Sequence, residues 1–431
     1  MIHVFFDQAN QLAQELFVNG IDDDILRGQC KLLTEFLPRF LSGGQEVFCR
    51  LETGFECEGD EVIHAKTELF SVAISNGKIK TISANTPNDS RAIDARGLLM
   101  LPAFKDMHIH LDKTFYGGPW RATRRRTGSV KGMIALEQQI LPAMLKTSTD
   151  HAGKLIELLQ SKGSSFARRH VNIESTSKLQ SLKNLQKALE NKKDSFGAEL
   201  VAFPQRGVFL YRFGSLLDFI GGVDPYSIDG SIERTIDFTV QLALDNNNKG
   251  IDIHLHESGL RTIEYLIKKV NENPVLKKKT YISHCFVLGK LEKSKQEEIA
   301  EQLSAANIGI VSTIPFGGQI MLIPAVYKHN VTVSTGNESI IDHWSTWGSG
   351  SVLQKANLMA QLYGYSTEFL LSRSLKLATG NVLPLDDKGV QQWPKAGDAA
   401  DVVLIDVSCS AEAVSRISPV RSLISKGNIV Y

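Results

Sequence analysis

Short apolar segments alternate with amphipathic segments through the middle of the chain. Eight segments have the length and apolar content of buried strands, and they are Leu99–Leu111, Phe166–Ile173, Leu200–Pro204, Leu217–Val223, Gly250–His256, Thr280–His284, Ile308–Ser312 and Val331–Thr335. Between them lie helical patterns, for instance Val130–Leu145, Thr176–Glu190, Ser231–Asn246, Arg261–Asn271 and Glu292–Ala305. Strands and helices that alternate in this number predict a parallel, distorted (β/α)8 TIM barrel.

Both flanks of this α/β region carry alternating runs separated by Gly and Asn turns, a pattern typical of strands in a small β domain. The runs are Val47–Arg50, Thr67–Ile74, Ile79–Ile82 and Ala92–Ala95 before it, and Asp401–Asp406, Val420–Ser425 and Ile429–Tyr431 after it. We therefore predict a small β-sandwich domain built from both ends of the chain, at 46–101 and 385–431. The barrel occupies 102–384 between them.

The first 45 residues predict a helical extension before the β domain. Leu12, Leu16 and Phe17 lie roughly on one face of a first helix, and a second apolar pattern follows the acidic run Asp22–Asp24. An acidic run of this kind suits the start of a helix. We expect the extension to dock on the rest of the chain. An arm that binds a partner or forms a dimer is the alternative.

Composition narrows the class of protein. The 431 residues suffice for one large barrel and a smaller domain, and the net charge of +1 shows no excess of basic residues for nucleic acid. The sequence contains no run of about eighteen apolar residues, which is the length that a membrane span requires. Asp7 and Glu15 interrupt the apolar core that a signal peptide would need. The five cysteines are scattered, without a Cys-x-x-Cys zinc pattern. We predict a cytoplasmic protein with no nucleic-acid or membrane partner.

Polar residues gather where several predicted strands end, which is the face that carries the active site in such barrels. Side chains alternate across a strand, so His108 and His110 share one face, and two imidazoles one pleat apart can chelate one divalent metal. The fifth strand carries His254, the sixth ends at His284, and the eighth runs into Glu338. These positions predict a metal site.

Each histidine also has an ordinary interpretation, because a single inward histidine is more often a hydrogen-bonded core residue than a ligand. Histidines at the ends of three strands, with acids beside them, make coincidence a poor explanation. For His256, a supporting or core position is an equal alternative to a direct role. We interpret His170 and Asn172, which share a face with Glu174, as structural or supporting residues.

These residues together resemble a known superfamily. The ordered motifs are Met100-Leu101-Pro102 before His108-x-His110, then His254-x-x-Glu257, Ser283-His284 and Gly336-x-Glu338. They resemble the amidohydrolase superfamily, and within it the cytosine deaminase-like branch. Val201–Gln205 is similar to the substrate glutamine strand of that branch, and Ile341–Trp344 with Gly348 is similar to its tail after the metal acid. The resemblance covers roughly Cys49 to Tyr431 and does not specify a substrate.

The resemblance implies one divalent metal per chain. Its ligands would be His108, His110, His254 and the eighth-strand acid, Glu338. Binuclear relatives use a carboxylated lysine on strand four, and Leu217–Val223 contains no lysine. Zinc is the expected metal, with iron or manganese as alternatives, because histidine and carboxylate ligands suit several divalent ions.

Two further residues receive catalytic roles from the same resemblance. His284 would orient the metal-bound hydroxide and polarise the substrate. Glu257 would shuttle a proton to the leaving nitrogen, and it lies three residues beyond His254, just past the strand end. The chemistry is consistent, because a metal ion acidifies bound water and a nearby carboxylate can move the released proton.

The acid position departs from the family pattern, because Glu338 stands where the family has aspartate. Either Glu338 fills the position with one extra methylene, or Asn337 occupies it. A misplacement of about 1 Å costs around a hundredfold in rate. The departure predicts slower, altered or absent catalysis, and it leaves the fold unchanged.

Candidate substrate-binding residues surround this site. Gln205 offers an amide donor and acceptor that suit a planar N-heterocycle, and Trp344 either packs over such a ring or packs the barrel mouth. Ser339 stands where the cytosine-specific enzyme has a second acid, which argues against cytosine. Lys113 and Trp120, in the loop after the first strand, are further candidates.

These observations predict a metal-dependent amidohydrolase acting on carbon–nitrogen bonds other than peptide bonds. The preferred reaction is hydrolytic deamination of a small heterocyclic amine, not cytosine, by a metal-bound hydroxide. One alternative is an amide or N-alkylamino hydrolase on the same scaffold. Another is a metal-binding relative impaired at Glu338. The expected partner is a small heterocyclic substrate, with a homo-oligomer left open.

Overall fold

The structure is a computed structural model that describes residues 44–87, 91–123, 129–205, 216–314, 321 and 323–431. Residues 1–43 of the helical extension predicted for 1–45 lie outside the described ranges, and Gln45 belongs to the first strand. The described chain begins with four strands of a small sheet. They are β1 (Gln45–Glu58), β2 (Glu61–Ser75), β3 (Lys78–Ser83) and β4 (Ile93–Pro102). β1 pairs with β2 in antiparallel and with β4 in parallel orientation.

The barrel follows directly. Its strands are β5 (Phe104–Ile109), β6 (Ser164–Asn172), β7 (Gly197–Phe203), β8 (Phe219–Val223), β9 (Gly250–His254), β10 (Thr280–Ser283), β11 (Ile308–Ser312) and β12 (Val333–Thr335). They form one eight-stranded sheet in chain order, with parallel pairing between neighbours. Each of the eight strand segments predicted from the sequence overlaps one of these strands, and the predicted TIM barrel is confirmed.

The barrel closes between its first and last strands, at the position of the candidate site. Ile109 forms a parallel bridge with Glu338. The Glu338 N–H donates to the carbonyl oxygen of His108 at 2.7 Å, and the His110 N–H donates to the carbonyl oxygen of Glu338 at 2.8 Å. Closure therefore brings His108 of β5, and His110 just after it, beside Glu338, which follows β12.

Helices connect the strands and cover the barrel. In the described ranges they are α1 (Val130–Met144), α2 (Ser148–Ser161), α3 (Gln180–Glu190), α4 (Pro225–Asp229), α5 (Ile232–Asp245), α6 (Leu260–Glu272), α7 (Lys293–Ala306), α8 (Ile323–Lys328), α9 (Val352–Tyr363), α10 (Glu368–Ser374) and α11 (Ser410–Arg416). Single turns of 3-10 helix lie at Pro274–Leu276, Phe286–Lys290 and Leu375–Leu377. Side-chain caps begin several helices; for example, Ser129 accepts the Gly132 N–H at the start of α1.

Three C-terminal strands complete the small sheet. They are β13 (Val402–Ile405), β14 (Val420–Ser425) and β15 (Asn428–Ile429), and the sheet order is β15-β14-β13-β4-β1-β2-β3. β13 pairs antiparallel with β4, so Val402 lies opposite Pro102. The small sheet domain contains strands from both ends of the described chain, as the pattern predicted.

One predicted strand was wrong. Leu99–Leu111 is divided between the two sheets, because β4 ends at Pro102 and β5 begins at Phe104. Proline has no N–H to donate to a ladder, and the next N–H, that of Ala103, donates to Asp401 O at 3.0 Å, in the segment that leads into β13. The chain therefore changes sheets at this point, a change that apolar continuity conceals.

The main core lies between the barrel strands and the surrounding helices. It includes Ile251, Ile253, Ile282 and Ile310 on the strands, all buried. A separate cluster around Val47, Val72 and Val402 fills the small sheet domain. Among the described residues, no helix combines the length and apolar character that a membrane crossing needs.

Candidate active site

Five buried histidines converge at the carboxyl ends of the barrel strands. They are His108, His110, His170, His254 and His284, contributed by β5, β6 and β9 and by the segments that follow β5 and β10. The ring centroid of His108 lies 4.6 Å from that of His254 and 4.9 Å from that of His284. The His110 centroid lies 5.7 Å from His108. The structure therefore brings together all the histidines that the sequence assigned to the site.

His170 belongs to this group more closely than we expected. Its ring stacks on His108 with 3.9 Å between centroids, and it lies 4.5 Å from the ring of His254. These three residues offer nitrogen atoms within 4.8 Å of one another, a spacing suited to one metal ion. A second such group consists of His108, His284 and Glu338. The sequence signal for this role was that His170 faces inward on the second strand, but we interpreted the residue as structural or supporting.

A hydrogen-bond chain sets the orientation of His108. Its Nδ1 lies 2.9 Å from the Ser283 hydroxyl, which in turn donates to Asp252 at 2.6 Å. The Nδ1 of His108 is therefore occupied and its Nε2 faces the cluster. Such outer partners fix the tautomer and ring orientation of a metal-binding histidine.

Several nitrogen atoms of the cluster are buried without a hydrogen-bond partner among the described residues. They are Nε2 of His108, Nδ1 of His110, and both ring nitrogens of His170 and His254. Each buried polar atom left unsatisfied costs about 1–3 kcal/mol. Imidazole nitrogens gathered with a carboxylate are the donor set of a divalent metal such as zinc. The residues present therefore fit a metal ion, and its identity is not established.

Electrostatics favours the neutral form of these side chains. Burial, followed by the charges of neighbouring groups, holds the pKa values of the five histidines well below their usual value. A neutral imidazole has the free lone pair that a metal ligand needs. Burial and the nearby Asp342 raise the pKa of Glu338. A bound cation would favour the ionised carboxylate.

The structure distinguishes the two residues that competed for the acid position. The side-chain amide of Asn337 donates to Asp106 at 2.8 Å, and the Asn337 N–H donates to the same carboxylate. Asn337 is thus held by β5. Glu338 turns into the cluster, where its Oε1 lies 3.8 Å from Nε2 of His110. Its backbone is left-handed, with φ of 63°. The carboxylate at the site belongs to Glu338.

Asp224 organises the loop that follows β9. It accepts the N–H groups of His256 and Glu257, each at 2.9 Å, and of Ser258 at 3.1 Å. Its second oxygen lies 2.9 Å from Nδ1 of His256, whose ring centroid is 4.3 Å from that of His284. His256 therefore supports the site from a position past the strand end. The pairing of Asp224 with His256 was not predicted.

Glu257 lies at the rim of the barrel rather than inside the cluster. Its side chain is exposed, and Oε1 accepts the Val130 N–H at 2.9 Å, at the start of α1. This contact joins the loop after the fifth strand to the helix that follows the first strand. The position is compatible with access to a substrate above the histidines.

Glu137 of α1 is the centre of a polar network that sequence reasoning missed. Its carboxylate is fully buried. Its five partners, which come from four segments of the chain, are Lys113, Asn172, Gln205, His343 and Trp344. Burial alone would raise the pKa of Glu137, but Lys113, His343 and Trp344 hold it well below its usual value. The sequence carried one signal, because Glu137 interrupts the apolar stripe of α1.

A cavity of about 300 Å³ lies next to this network. Its lining includes Lys131 and Gln138 of α1, Glu174 after β6, and Gln205 after β7. Gln205, a predicted substrate-binding residue, thus lies at a cavity near the barrel mouth. The cavity is large enough for a small heterocycle.

The remaining substrate candidates occupy different positions. Lys113 is buried, with its ammonium 3.1 Å from Glu137, and Ser339 is buried beside Glu338. Trp344 donates its indole N–H to Glu137 at 2.7 Å. Trp120 is 72% exposed, and no contact reported for the described residues joins it to the histidines. The structure therefore gathers these candidates near the site, with the exception of Trp120.

The sequence is similar to those of other proteins along most of its length. No family model matches the chain. The chain is 46% identical over 396 residues to the uncharacterized protein YahJ of Escherichia coli strain K12, covering 88% of this chain and 86% of that protein. It is 24% identical over 385 residues to N-isopropylammelide isopropyl amidohydrolase of Pseudomonas sp. strain ADP, covering 85% and 94%.

A solved structure shares the fold over nearly the whole described chain. The crystal structure of 5-methylcytosine deaminase from Klebsiella pneumoniae, liganded with 5-fluorocytosine, superposes with a TM-score of 0.74. The match covers 90% of this chain and 97% of that one at 22% identity. The barrel and the accompanying small sheet are therefore a shared architecture.

Proposed function

This chain belongs to the amidohydrolase superfamily and is an enzyme of the class that acts on carbon–nitrogen bonds, and on that basis we propose that it deaminates a small N-heterocyclic amine other than cytosine. The observation that carries the proposal is the buried group of unpaired imidazole nitrogens beside Glu338. Such a group costs folding free energy unless a cation satisfies it. It lies where barrel enzymes carry their active sites.

The proposed ligands of a single divalent metal are His108, His110, His254 and Glu338. The metal, when bound, supplies Lewis-acid chemistry that acidifies a water molecule near neutral pH. Ser283 and Asp252 hold the ring of His108, so the ligand orientation is set before a metal arrives. The Glu338 side chain is one methylene longer than the family aspartate, and its left-handed backbone turns it towards His110.

Two side chains carry the proton and substrate chemistry in this proposal. His284 hydrogen-bonds through Nδ1 to Thr313 Oγ1 at 3.1 Å, which orients the imidazole against the substrate. Glu257 moves a proton to the leaving nitrogen through its carboxylate, from the mouth of the barrel. Its contact with the Val130 N–H holds one oxygen in place.

The substrate class rests on Gln205, Ser339 and the relatives. Gln205 supplies a polar amide at the cavity. Serine at 339 cannot provide the charge that reads cytosine in the branch with a second acid. A 5-methylcytosine deaminase shares the fold, and another relative is named for hydrolysis of N-isopropylammelide. Both names refer to small nitrogen heterocycles.

A second candidate reaction is removal of an alkylamine from a substituted ring. The Pseudomonas relative, aligned over 385 residues, is named for that kind of bond. The two reactions differ in their product, because deamination releases ammonia and the alternative releases an alkylamine. The predicted cytoplasmic location remains a prediction of the sequence.

Elemental analysis together with a product screen tests the proposal. Purified protein is analysed for metal content and incubated with aminopyrimidines, pterins and alkylamino-triazines, and ammonia and alkylamines are measured separately. About one metal per chain with ammonia release supports deamination, whereas release of only an alkylamine moves the assignment to the second reaction. Metal-loaded protein that hydrolyses no substrate would contradict both.

A variant pair then tests the proton shuttle. Glu257→Gln should retain the metal and lose turnover by about a hundredfold or more, because the amide cannot accept the proton. Glu301→Gln, at an exposed position in α7, is the matched control. Undiminished turnover in the Glu257 variant would remove this residue from the mechanism.

A further inference from the structure

Helix α1 covers the substrate side of the barrel. Its residues Val130 and Ile134 form a small apolar cluster with Phe203 and Val223, which end β7 and β8. The ring of Phe203 lies 4.6 Å from that of His254. This cluster is separate from the main core, so α1 lies over the carboxyl ends of the strands and contributes side chains to the cavity.

Four side chains donate hydrogen bonds to the buried carboxylate of Glu137. Lys113 donates to Oε2 at 3.1 Å, and the Trp344 indole donates to the same oxygen at 2.7 Å. Gln205 donates to Oε1 at 2.9 Å, and the Asn172 amide contacts that oxygen as well. An ionised carboxylate is an acceptor only, so each of these groups must present its hydrogen to Glu137.

This requirement sets the amide orientation of Gln205. With Nε2 bound to Glu137, the opposite atom, Oε1, accepts the Gln138 amide at 3.1 Å. A flipped amide would place its oxygen against the carboxylate and its NH₂ against another donor. Gln205 also lines the cavity, so Oε1 is the acceptor that its amide offers there.

The same network neutralises the buried ammonium of Lys113. Lys113 is buried and its ammonium is paired with Glu137, so that charge is not available to an anionic substrate. Trp344, held at its indole N–H, keeps its ring beside the apolar cluster. The cavity lining carries no net formal charge, because Lys131 and Glu174 balance each other. Trp344 packs against the apolar cluster to which the lining residues Ile134 and Ile228 belong.

We propose that Glu137 is the positioning residue for substrate, holding Gln205 and Trp344 so that the site selects a neutral, planar heterocycle with an N–H donor on the edge facing Gln205. The inference rests on the proposed function, because it describes how that site chooses its substrate. Glu137 acts through its neighbours, since its own oxygens are occupied by protein donors.

A double-variant cycle tests the proposal with the aminopyrimidine, pterin or alkylamino-triazine that the intact enzyme converts fastest. Glu137→Gln should raise KM about tenfold, leave kcat within threefold, and retain the metal. In a Gln205→Ala background, where Glu137 can act only through Trp344, the same substitution should change KM by less than threefold. Glu157→Gln is the control, because it breaks the exposed Lys192–Glu157 pair and should change neither constant. A full tenfold effect in the Gln205→Ala background would overturn the proposal.

A spectroscopic signal provides a readout that needs no turnover. The indole N–H resonance of Trp344, assigned with Trp344→Phe, should shift in Glu137→Gln while the other indole signals stay in place. If Glu137→Gln does not fold, the double variant Lys113→Met/Glu137→Gln removes the buried ammonium with its partner and is measured instead. An unmoved Trp344 signal would overturn the role of Glu137, with or without turnover. Wild-type protein that converts no heterocycle would contradict the proposed function, whichever way that signal moves.

Discussion

Gly336→Ala probes how the barrel closes at the candidate site. Gly336 follows β12 and lies against β5. A Cβ at this position would lie 2.7 Å from Oδ1 of Asp106 and closer still to the backbone N and O of His108. The backbone at Gly336 does not adopt a positive φ, so the expected effect comes from space alone.

The size of the effect follows from these contacts. Contacts below 3.0 Å are essentially absent around real Cβ atoms, and backbone atoms cannot rotate away. The two strands must therefore separate by roughly 1 Å, which stretches the hydrogen bonds between Glu338 and the backbone of His108 and His110. Overpacking and two weakened hydrogen bonds together predict a loss of about 2–4 kcal/mol in the free energy of unfolding.

The same displacement moves Glu338 relative to His108, so we also expect lower metal content and turnover reduced on the order of a hundredfold. Denaturant unfolding, elemental analysis and the product assay measure the three effects. Gly222→Ala is the matched control, because its Cβ would meet the Ile253 side chain at an ordinary 3.6 Å. That variant should lose less than about 1 kcal/mol.

The reasoning fails if Gly336→Ala unfolds at the same denaturant concentration as the wild type and keeps its metal. That result would mean that β5 and β12 do not approach each other as closely as the structure shows. Equal losses in both alanine variants would point instead to a general cost of adding a methyl group in this barrel.

Three further predictions test the site and its surroundings. His108→Ala should lose most of the bound metal in elemental analysis, because His108 belongs to both candidate ligand groups, and full retention would exclude it as a ligand. Metal-free protein should lose stability as the pH falls below about 6.5, because histidines bind protons in the unfolded state while the buried histidines of the folded state stay neutral. The free energy of unfolding should fall by up to about 1.4 kcal/mol per pH unit for each such histidine. Denaturant curves at pH 7.5, 6.5 and 5.5 measure this slope, and identical midpoints would contradict it. In a Cys30→Ser background, only the exposed Cys57 should react quickly with a thiol reagent. The other described cysteines are buried, and burial raises the pKa of Cys49 to about 12. Rapid labelling of a second thiol would show that the core opens.

The strand positions could be predicted from sequence because most strands, in the barrel and in the small sheet, are short, isolated apolar runs. Ile308–Ser312 and Val420–Ser425 match to the residue. The one error, at Leu99–Leu111, came from a run that serves two sheets in succession. Local pattern does not distinguish one long strand from two strands joined at Ala103, because the difference lies in which distant strands each half pairs with.

The histidine site could also be predicted in part from the sequence. Alternation along β5 places His108 and His110 on one face, and a parallel barrel brings the ends of its strands together. The sequence could not decide whether Asn337 or Glu338 occupies the acid position of the site. It depends on the hydrogen bonds of Asn337 to Asp106, 231 positions away in the chain.

The sequence by itself determined the barrel, the small sheet domain and the histidines that meet at the barrel mouth, because strand period and strand order follow from local patterns. Only the tertiary structure decided the network around Glu137 and the support of the loop after β9 by Asp224. Those groups are joined by hydrogen bonds between segments far apart in the chain. A hydrogen bond depends on distance and direction in space, and neither is written in the spacing of residues along the chain.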